Sequence, residues 1–255
     1  MTKAEGWSLF LRRFYRERMK KTIELAGIPV GITLRYTDAL AVLTPFLSDR
    51  APVAEAAVTP EALAAAREIY EPGSTEPYLE YMELCPRLSD ALLAFDRAFF
   101  HGVAFLWRER AWIFTGASGA GKTTQYVLWK HRYGDEIRML NGDKPVLAFS
   151  QGQIVVHPSP WNGKEAMGQL CSAPLGGIVL LQQGAQNTIR RLTPQEAAGP
   201  LFAQFLFSRE TVADVLQVAA LEQRLLQQVP VWLLSNRGEA ASAQLCHDTL
   251  MEEIK

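Results

Sequence analysis

The chain has 255 residues, of which 48% are hydrophobic and 21% charged, and its formal net charge at pH 7 is −1. This length and composition predict a globular protein with one well-buried core or two small ones, and they exclude a disordered or fibrous chain. Because a net charge near zero creates no global field toward polyanions, neither a nucleic acid nor a membrane is predicted as a partner.

The cysteines and the apolar segments bear on location. Cys85, Cys171 and Cys246 are far apart and form no C-x-x-C pair, which favours neither a disulfide framework nor a zinc site. The first residues lack the continuous apolar core of a signal peptide, and no segment approaches the roughly eighteen apolar residues of a membrane-spanning helix. We therefore expect reduced thiols and a cytoplasmic location.

The N-terminal segments predict a helix followed by a pair of strands. Residues 7–21 have the pattern of a basic amphipathic helix. Residues 22–36 alternate in the manner of one or two strands, turned near Gly27 or Pro29. These segments predict the beginning of an N-terminal α/β region.

Two further helices are predicted in the first hundred residues. Thr59 and Pro60 begin one, since a threonine hydroxyl can cap free N–H groups and a proline at the first helical position needs no donor. This helix continues to Tyr70. The stretch at 71–75 contains Pro and Gly and breaks the pattern, and another helix is predicted over 86–99.

The middle of the chain predicts a strand hairpin, a loop and a helix. Strands are predicted at 103–107 and 112–115, joined by the charged turn 108–110. After a glycine-rich loop, an amphipathic helix runs to about Tyr133, and a strand follows at about 137–140.

The last hundred residues predict alternating strands and helices. Thr193 and Glu196 have the spacing of a capping box, with proline between them at the first helical position. The elements predicted here are a hairpin turning at 150–152, a buried strand at 177–181, helices within 194–227, a strand at 229–235 and a helix at 239–254.

The glycine-rich loop matches the pattern G-x-x-x-x-G-K-[ST] completely. Its glycines allow backbone N–H groups to point at phosphate oxygens, and the following helix adds its positive N-terminal end. Lys122 is expected to reach the β and γ phosphates, and the Thr123 hydroxyl to bind Mg²⁺, so ATP and Mg²⁺ are the predicted cofactors. The residues predicted to bind the nucleotide are Gly116, Ala117, Ser118, Gly119, Ala120, Gly121, Lys122, Thr123 and Thr124.

Phosphoryl transfer also needs a carboxylate that holds metal or accepts a proton. The strand at 177–181 ends in glutamines and is therefore not a Walker B strand. Asp143 is the better candidate, as metal ligand or general base, because the end of the preceding strand would lie at the same edge of a parallel sheet as the loop. The alternative is a turn residue of an Asn-Gly-Asp hairpin. The catalytic candidates are therefore Lys122, Asp143 and His101. His101 precedes the first strand of the hairpin, and its alternative role is a structural one.

A segment rich in Gly, Pro and Trp, HPSPWNGKE at 157–165, is a candidate substrate loop. Lys164 could offer charge to a phosphate, Gly163 could allow close approach, and Trp161 could stack on a base or an organic substrate. The alternative is a rigid surface turn with a packed tryptophan.

Taken in order, these motifs resemble a known family. The His-Gly pair at His101, a hairpin, the loop 116–123 and the NGDK segment at 141–144 are similar to the C-terminal kinase domain of HPr kinase/phosphorylase. The loop ending at 118–124 also resembles that of ATP-dependent phosphoenolpyruvate carboxykinase, although that enzyme is about twice as long. The resemblance covers residues 101–164 and implies a P-loop kinase fold with His101 in the active site.

The chain departs from that family after the helix that follows the loop. The relatives usually carry two adjacent aspartates there, involved in metal binding and acid–base chemistry, whereas this chain has Gly142 followed by Asp143. The resemblance leaves the role of Asp143 open between base and metal ligand. The missing acid also makes an inactive ATP-binding sensor an alternative function.

These observations together predict an α/β protein with an N-terminal region at 1–98, expected to select the substrate, and a kinase domain at 99–255. The predicted function is transfer of the γ-phosphate of ATP to a hydroxyl, on a protein or peptide serine or on a small molecule. An NTPase motor or transporter subunit is disfavoured, since the sequence has neither an LSGGQ-like signature nor a Walker B acid. The acceptor's identity is not readable, and a homo-oligomer is left open.

Overall fold

The computed structural model of the protein describes residues 18–150, 152–163, 168–209 and 211–253. Two compact units are present, Met1–Ala91 and Leu92–Lys255, so the division falls before the boundary predicted at residue 98. Among the described residues the first unit has a three-stranded sheet and the second a ten-stranded mixed sheet. The chain is therefore a mixed α/β protein. No helix within the described ranges has both the length and the apolar character needed to cross a membrane.

The first unit combines a small sheet with helices. Strand β2 pairs antiparallel with β1 and parallel with β3. The elements are β1 Met19–Leu25, β2 Ile28–Leu34, α1 Leu40–Leu43, a 3₁₀ turn at Thr44–Phe46, β3 Ala54–Ala57, α2 Pro60–Ile69 and α3 Glu76–Leu93.

Two predictions for this unit are confirmed. The strands β1 and β2 form a hairpin that turns at Ala26 and Gly27, whose φ angles are 49° and 81°. Positive φ at both positions matches the right-handed twist of the paired strands. Helix α2 begins after Thr59, whose Oγ1 accepts a hydrogen bond from the N–H of Ala62 at 3.2 Å.

Two other predictions are wrong in part. Lys20 and Lys21 lie on β1, so the basic helix predicted over 7–21 does not extend to them; its first residues lie outside the described ranges. Helix α3 begins at Glu76 and contains Pro86, whereas a start at Pro86 was predicted. The helix continues through the proline because burial of its apolar side chains offsets a missing hydrogen bond that costs about 3 kcal/mol.

The second unit has helices on both faces of the large sheet. Its elements are β4 Arg97–Phe100, β5 Val103–Trp107, β6 Arg110–Thr115, α4 Lys122–Tyr133, a 3₁₀ turn at Gly134–Glu136, β7 Arg138–Asn141, β8 Val146–Ser150, β9 Gln153–His157, β10 Ala173–Gln183, β11 Thr188–Arg191, α5 Pro194–Phe202, β12 Phe205–Leu206, α6 Val212–Gln228, β13 Val231–Asn236 and α7 Ala240–Glu253. The hairpin of β5 and β6, the helix α4 and the capping box of Thr193 and Glu196 are confirmed.

Side chains that point alternately to the two faces of the central strands divide the core into two layers. On β5, Phe105 and Trp107 pack into one buried cluster, and Ala104 and Leu106 into another. The first cluster includes side chains of α4 and α7, and the second includes side chains of α5 and α6. Since successive side chains of a strand point to opposite faces, the unit has three layers with the sheet in the middle.

The strand order brings several strand ends to one edge of the sheet. β6 pairs parallel with β10 and antiparallel with β5, and β10 pairs parallel with β13. β7 pairs antiparallel with β5, so it runs in the same direction as β6. The shared edge predicted for the ends of β6 and β7 is confirmed, but the sheet is mixed and β5 lies between those two strands. The carboxyl ends of β6, β7, β10 and β13 therefore meet at the edge where β5 begins.

Candidate functional site

The glycine-rich loop joins the end of β6 to the start of α4. Gly116, Gly119 and Gly121 have φ angles of 136°, 78° and 98°, a region that other residues adopt only with strain. A Cβ on Gly116 would lie 2.6 Å from the carbonyl oxygen of Leu181 on β10. The backbone thus requires glycine for its curl and for its close approach to β10. The curl ends at the positive N-terminal end of a twelve-residue helix, a favourable position for an anion.

Lys122 lies over this loop. Its Nζ donates to the carbonyl oxygens of Gly116 at 3.0 Å and Ala117 at 3.1 Å. Burial lowers the pKa of the Lys122 ammonium, and the carboxylate of Asp143 opposes that shift. The ammonium is therefore held at the loop by weak acceptors that a phosphate oxygen can replace.

A cavity of ≈ 450–490 Å³ opens on each side of the loop. The larger one, of ≈ 490 Å³, is called the Asp143 cavity below. It brings together the predicted residues His101, Lys122, Thr123 and Asp143. The other residues that line it are Val103, Ser118, Gly119, Gly121, Thr124, Gly142 and Gly163.

Asp143 lies between two basic side chains. Its Oδ1 is 3.7 Å from Nε2 of His101, and its other carboxylate oxygen pairs with the ammonium of Lys144. The side chains of His101 and Asp143 are 29% and 30% exposed, so both are accessible from the cavity while being largely desolvated. A carboxyl group is thus held beside an imidazole.

Gln204 favours one tautomer of that imidazole. Gln204 Nε2 donates to the carbonyl of Pro200 at 3.3 Å, which leaves its Oε1 to accept from Nδ1–H of His101 at 3.2 Å. Burial and the Lys122 ammonium lower the pKa of His101 from its ordinary value of 6.5, against the opposing effect of Asp143. His101 is therefore neutral near pH 7, with its proton on Nδ1 and the lone pair of Nε2 beside Asp143. Gln204 lies 103 residues from His101, and no motif in the sequence indicates it.

The turn that carries Asp143 is built by Asn141. The Asn141 side chain is fully buried, and its Oδ1 accepts from the N–H of Asp143 at 3.0 Å and of Lys144 at 2.8 Å. Its Nδ2 donates to the carbonyl of Ser159 at 3.2 Å. The alternative reading of Asp143 as a hairpin turn residue is wrong, because β7 pairs with β5 whereas β8 pairs with β4 and β9. The turn instead connects two different parts of the sheet.

At Gly142 the chain has no space for a side chain. The N–H of Gly142 donates to Oδ1 of Asn162 at 2.6 Å, and a Cβ on Gly142 would lie 2.6 Å from the backbone carbonyl oxygen of Asn162. Gly163, with φ of 75°, continues this close contact and lines the Asp143 cavity. The backbone of Asn162 thus occupies the space that a side chain at position 142 would need.

In the segment predicted as a substrate loop, Gly163 lines the Asp143 cavity, whereas Trp161 is packed in the core. Trp161 is 3% exposed and packs edge-to-face on Phe99, with ring centroids 5.6 Å apart, so the prediction that it stacks on a ligand is wrong. The alternative of a packed tryptophan describes it correctly. Lys164 lies outside the described residues.

The oxygen ligands at the Asp143 cavity fit Mg²⁺. Thr123 and Asp143 both line it, and a hydroxyl and a carboxylate are ligands that this hard cation accepts together with phosphate oxygens. No group of three or more His, Cys, Asp or Glu suited to a metal occurs among the described residues. A metal here would consequently share its coordination with bound phosphate and water.

The smaller cavity, called the Asn236 cavity below, was not predicted from the sequence. It has a volume of ≈ 450 Å³ and lies where β10 and β13 end side by side, with Gln183 opposite Asn236. Gln183 Nε2 donates to the carbonyl of Gly119 at 3.0 Å and so braces the loop from this side. The remaining lining residues are Ala120, Gly121, Thr124, Gly184, Arg237 and Gly238.

Comparisons with known proteins complete this description. No family model and no curated protein matches the chain. Among solved structures, it is similar to the HPr(Ser) kinase/phosphatase from Coxiella burnetii, with a TM-score of 0.37 and 10% identity over 62% of this chain and 99% of that one. A TM-score at this level carries no argument about activity.

Proposed function

We propose that this chain is an ATP-dependent kinase that transfers the γ-phosphate to a hydroxyl group, using a P-loop domain of the HPr kinase type at 99–255. The observation that supports it is the convergence of Lys122, Thr123, Asp143 and His101 on one cavity beside the glycine-rich loop. These residues come from three separate segments and supply a cation, a hydroxyl, a carboxylate and a neutral imidazole. Such a set can bind phosphates and move a proton at the same place.

The loop and Lys122 would hold the phosphates of ATP. The curl at Gly116, Gly119 and Gly121 allows backbone N–H groups to face the phosphate oxygens. The ammonium of Lys122 would exchange the carbonyls of Gly116 and Ala117 for oxygens of the β and γ phosphates. That exchange replaces neutral acceptors by charged ones and so strengthens each hydrogen bond.

Thr123 and Asp143 would hold Mg²⁺ through a hydroxyl and a carboxylate oxygen. When bound, Mg²⁺ supplies positive charge that stabilises the charge developing on the transferred phosphoryl group. Lys144 pairs with the same carboxylate and keeps it oriented within the cavity.

The acceptor's proton would pass to the pair formed by Asp143 and His101. As the acceptor oxygen bonds to the γ-phosphorus, the bond from that phosphorus to the bridging oxygen breaks and ADP leaves with the electron pair. The hydroxyl proton moves to a free lone pair on Nε2 of His101 or on the Asp143 carboxylate, 3.7 Å apart. The hydrogen bond to Oε1 of Gln204 favours the neutral tautomer with the proton on Nδ1, which leaves the lone pair on Nε2.

A second candidate function is an ATP-binding sensor without transfer. It is favoured by Gly142, since the backbone of Asn162 occupies the space where a second acid would be. The two functions agree on ATP binding and differ only in the fate of the γ-phosphate. A serine on a protein or peptide, or a small hydroxylated molecule, is the acceptor class that we propose, selected by the region at 1–98. The cytoplasmic location and a homo-oligomeric state stay predictions.

The deciding experiment follows γ-labelled phosphate when purified protein meets ATP·Mg²⁺ with an extract of its host. We expect label on an extract component with the wild type and with Asp135→Asn, and none with Asp143→Asn. Asp135 is a matched control because it is fully exposed on the 3₁₀ turn and pairs with Lys130, away from the cavity. Label that stays on bound ATP in every sample would favour the sensor, and label transferred equally by Asp143→Asn would remove Asp143 from the mechanism.

A further inference from the structure

The Asn236 cavity has no role in the steps above, yet it shares part of its wall with the Asp143 cavity. Gly119, Gly121 and Thr124 line both. The two cavities therefore lie on opposite sides of one loop, and a molecule whose phosphates rest on that loop can extend into either. ATP has such a shape, since its triphosphate carries a nucleoside at one end.

The charged groups decide which end of ATP lies on which side. The Asp143 cavity holds Lys122, Thr123 and the groups that can accept a proton, so the γ-phosphate belongs there. The lining of the Asn236 cavity contains two amides, four glycines, an alanine, the Thr124 hydroxyl and one guanidinium, and no carboxylate or imidazole. Amide and backbone groups suit the neutral hydroxyls and ring nitrogens of a nucleoside.

Asn236 shapes this cavity without being free to bind. It is 4% exposed, and its Oδ1 accepts from the N–H of Gly238 at 3.0 Å and from Nε2 of Gln125 at 3.4 Å. Its Nδ2 donates to the carbonyl of Gln182 at 2.9 Å. These bonds hold the turn after β13 against the adjacent end of β10. Gly238 follows with φ of 71°, and the turn leads directly into α7.

Arg237 carries the charged side chain of this lining, and that side chain is able to reach a ligand. Its side chain is 58% exposed, and its Nε is 3.8 Å from Oε1 of Glu239, a long contact for an ion pair. That same Glu239 oxygen also accepts from Nδ2 of Asn187 at 2.9 Å. The backbone of Arg237 is fixed by its N–H, which donates to Oδ1 of Asn187 at 2.9 Å. A fixed backbone with a loosely held guanidinium suits contact with an incoming anion or sugar.

We propose that the Asn236 cavity binds the nucleoside end of ATP, with the guanidinium of Arg237 donating hydrogen bonds to the ribose hydroxyls. This inference rests on the proposed function, because it takes ATP as the ligand of the loop. It assigns the two cavities to the two ends of one molecule. It also makes Arg237 a residue that distinguishes a nucleotide from a bare polyphosphate.

The experiment compares the affinities of ATP and inorganic triphosphate, each with Mg²⁺, for the wild type and Arg237→Ala. We expect the wild type to bind ATP at least tenfold more tightly than triphosphate. Loss of one charged contact should weaken ATP binding by about tenfold. Triphosphate affinity should stay within about twofold, because triphosphate does not extend into the Asn236 cavity.

Arg110→Ala is the matched control. Arg110 is an exposed arginine at the first residue of β6, at the opposite edge of the same sheet, so its removal changes the net charge equally. It should leave both affinities unchanged. Unfolding midpoints of both variants equal to that of the wild type would show that the fold is intact.

The outcomes separate this inference from the kinase proposal. Equal weakening of ATP and triphosphate by Arg237→Ala, or no weakening of ATP, would overturn the nucleoside assignment. Equal wild-type affinity for the two ligands would overturn it as well, while leaving the kinase proposal standing. A wild type that binds neither ligand would overturn the proposed function itself.

Discussion

The two cavities beside the glycine-rich loop share three lining residues but differ in their chemistry. On one side the end of β7 and the start of β5 contribute Asp143 and His101, which can exchange a proton. On the other side the ends of β10 and β13 contribute Gln183, Asn236 and Arg237, which cannot act as acids or bases near pH 7. The comparison teaches that one loop can serve two tasks, because the strands on its two sides end in different residues.

Replacement of Asp143 should have the largest effect. Asp143→Asn removes the negative charge beside His101 and the carboxylate proposed for metal and proton, so the transfer rate should fall by about 10²–10⁴-fold. ATP affinity should change far less, since the loop and Lys122 are intact. Single-turnover transfer and ATP titration of the same samples measure both. A rate within threefold of wild type would show that the Asp143 cavity is not where the proton moves.

Replacement of Lys122 should affect both tasks, because the loop is common to both cavities. Lys122→Ala removes two charged hydrogen bonds to phosphates and should weaken ATP·Mg²⁺ binding by about a hundredfold. The fold should survive, since among the described residues Nζ bonds only to the loop carbonyls that it would leave on binding. Calorimetric titration with ATP checks the loss, and Lys130→Ala on the same helix is the control. Unchanged affinity would contradict the phosphate-binding role of the loop.

Replacement of Gly142 tests the close backbone contact beside the Asp143 cavity. Gly142→Ala places a Cβ 2.6 Å from the carbonyl oxygen of Asn162, which should lower the free energy of unfolding by about 1–3 kcal/mol. Gly199→Ala is the matched control, because Gly199 lies within α5 with nothing within 4 Å of an added Cβ. That control should be neutral or stabilising by up to about 1 kcal/mol. Denaturant unfolding of both variants measures the difference. Equal free energies of unfolding for the two variants would mean that the turn rearranges to accept the added methyl group at little cost.

The pH dependence of kcat/KM should show the smallest effect. Protonation of Nε2 removes the lone pair of His101, so kcat/KM should fall as the solution becomes more acidic. Because burial and Lys122 lower the pKa of His101, this fall should come below pH 6.5 rather than at it. His101→Gln should lower the plateau by about tenfold and remove the acidic limb, measured over about pH 5 to 8. A limb that persists in His101→Gln would belong to another group.

Local patterns in the sequence were sufficient for the centre of the fold. The hairpin of β5 and β6, the glycine loop and the start of α4 are adjacent in the chain, so their turn residues and capping signals lie within the predicted elements. His101 and Asp143 could be predicted because each lies at the end of a strand in that same stretch. Their proximity of 3.7 Å follows from the order of β5, β6 and β7 in the sheet.

Features made by distant segments were not predictable in this way. Gln204 reaches His101 across 103 residues, and the Asn236 cavity arises only when β10 and β13 pair. From the sequence, Gly142 indicates that an acid is missing at this position. The structure shows that a side chain has no space there, because the backbone carbonyl of Asn162 lies too close. The segment around Trp161 leaves ligand stacking and packing as alternatives, and only the contact with Phe99 of β4 decides for packing. Single-chain patterns carry no signal for contacts of this kind.

The central claim is that the Asp143 cavity transfers the γ-phosphate of ATP held on the loop. The most direct measurement preloads the protein with γ-labelled ATP·Mg²⁺, adds excess unlabelled ATP together with an extract of its host as the source of acceptor, and follows the label. We predict that label appears on the acceptor within the first turnover in the wild type and in Asp135→Asn, and not in Asp143→Asn. Label that is diluted away as ATP, or released as inorganic phosphate whether or not acceptor is present, would contradict the claim.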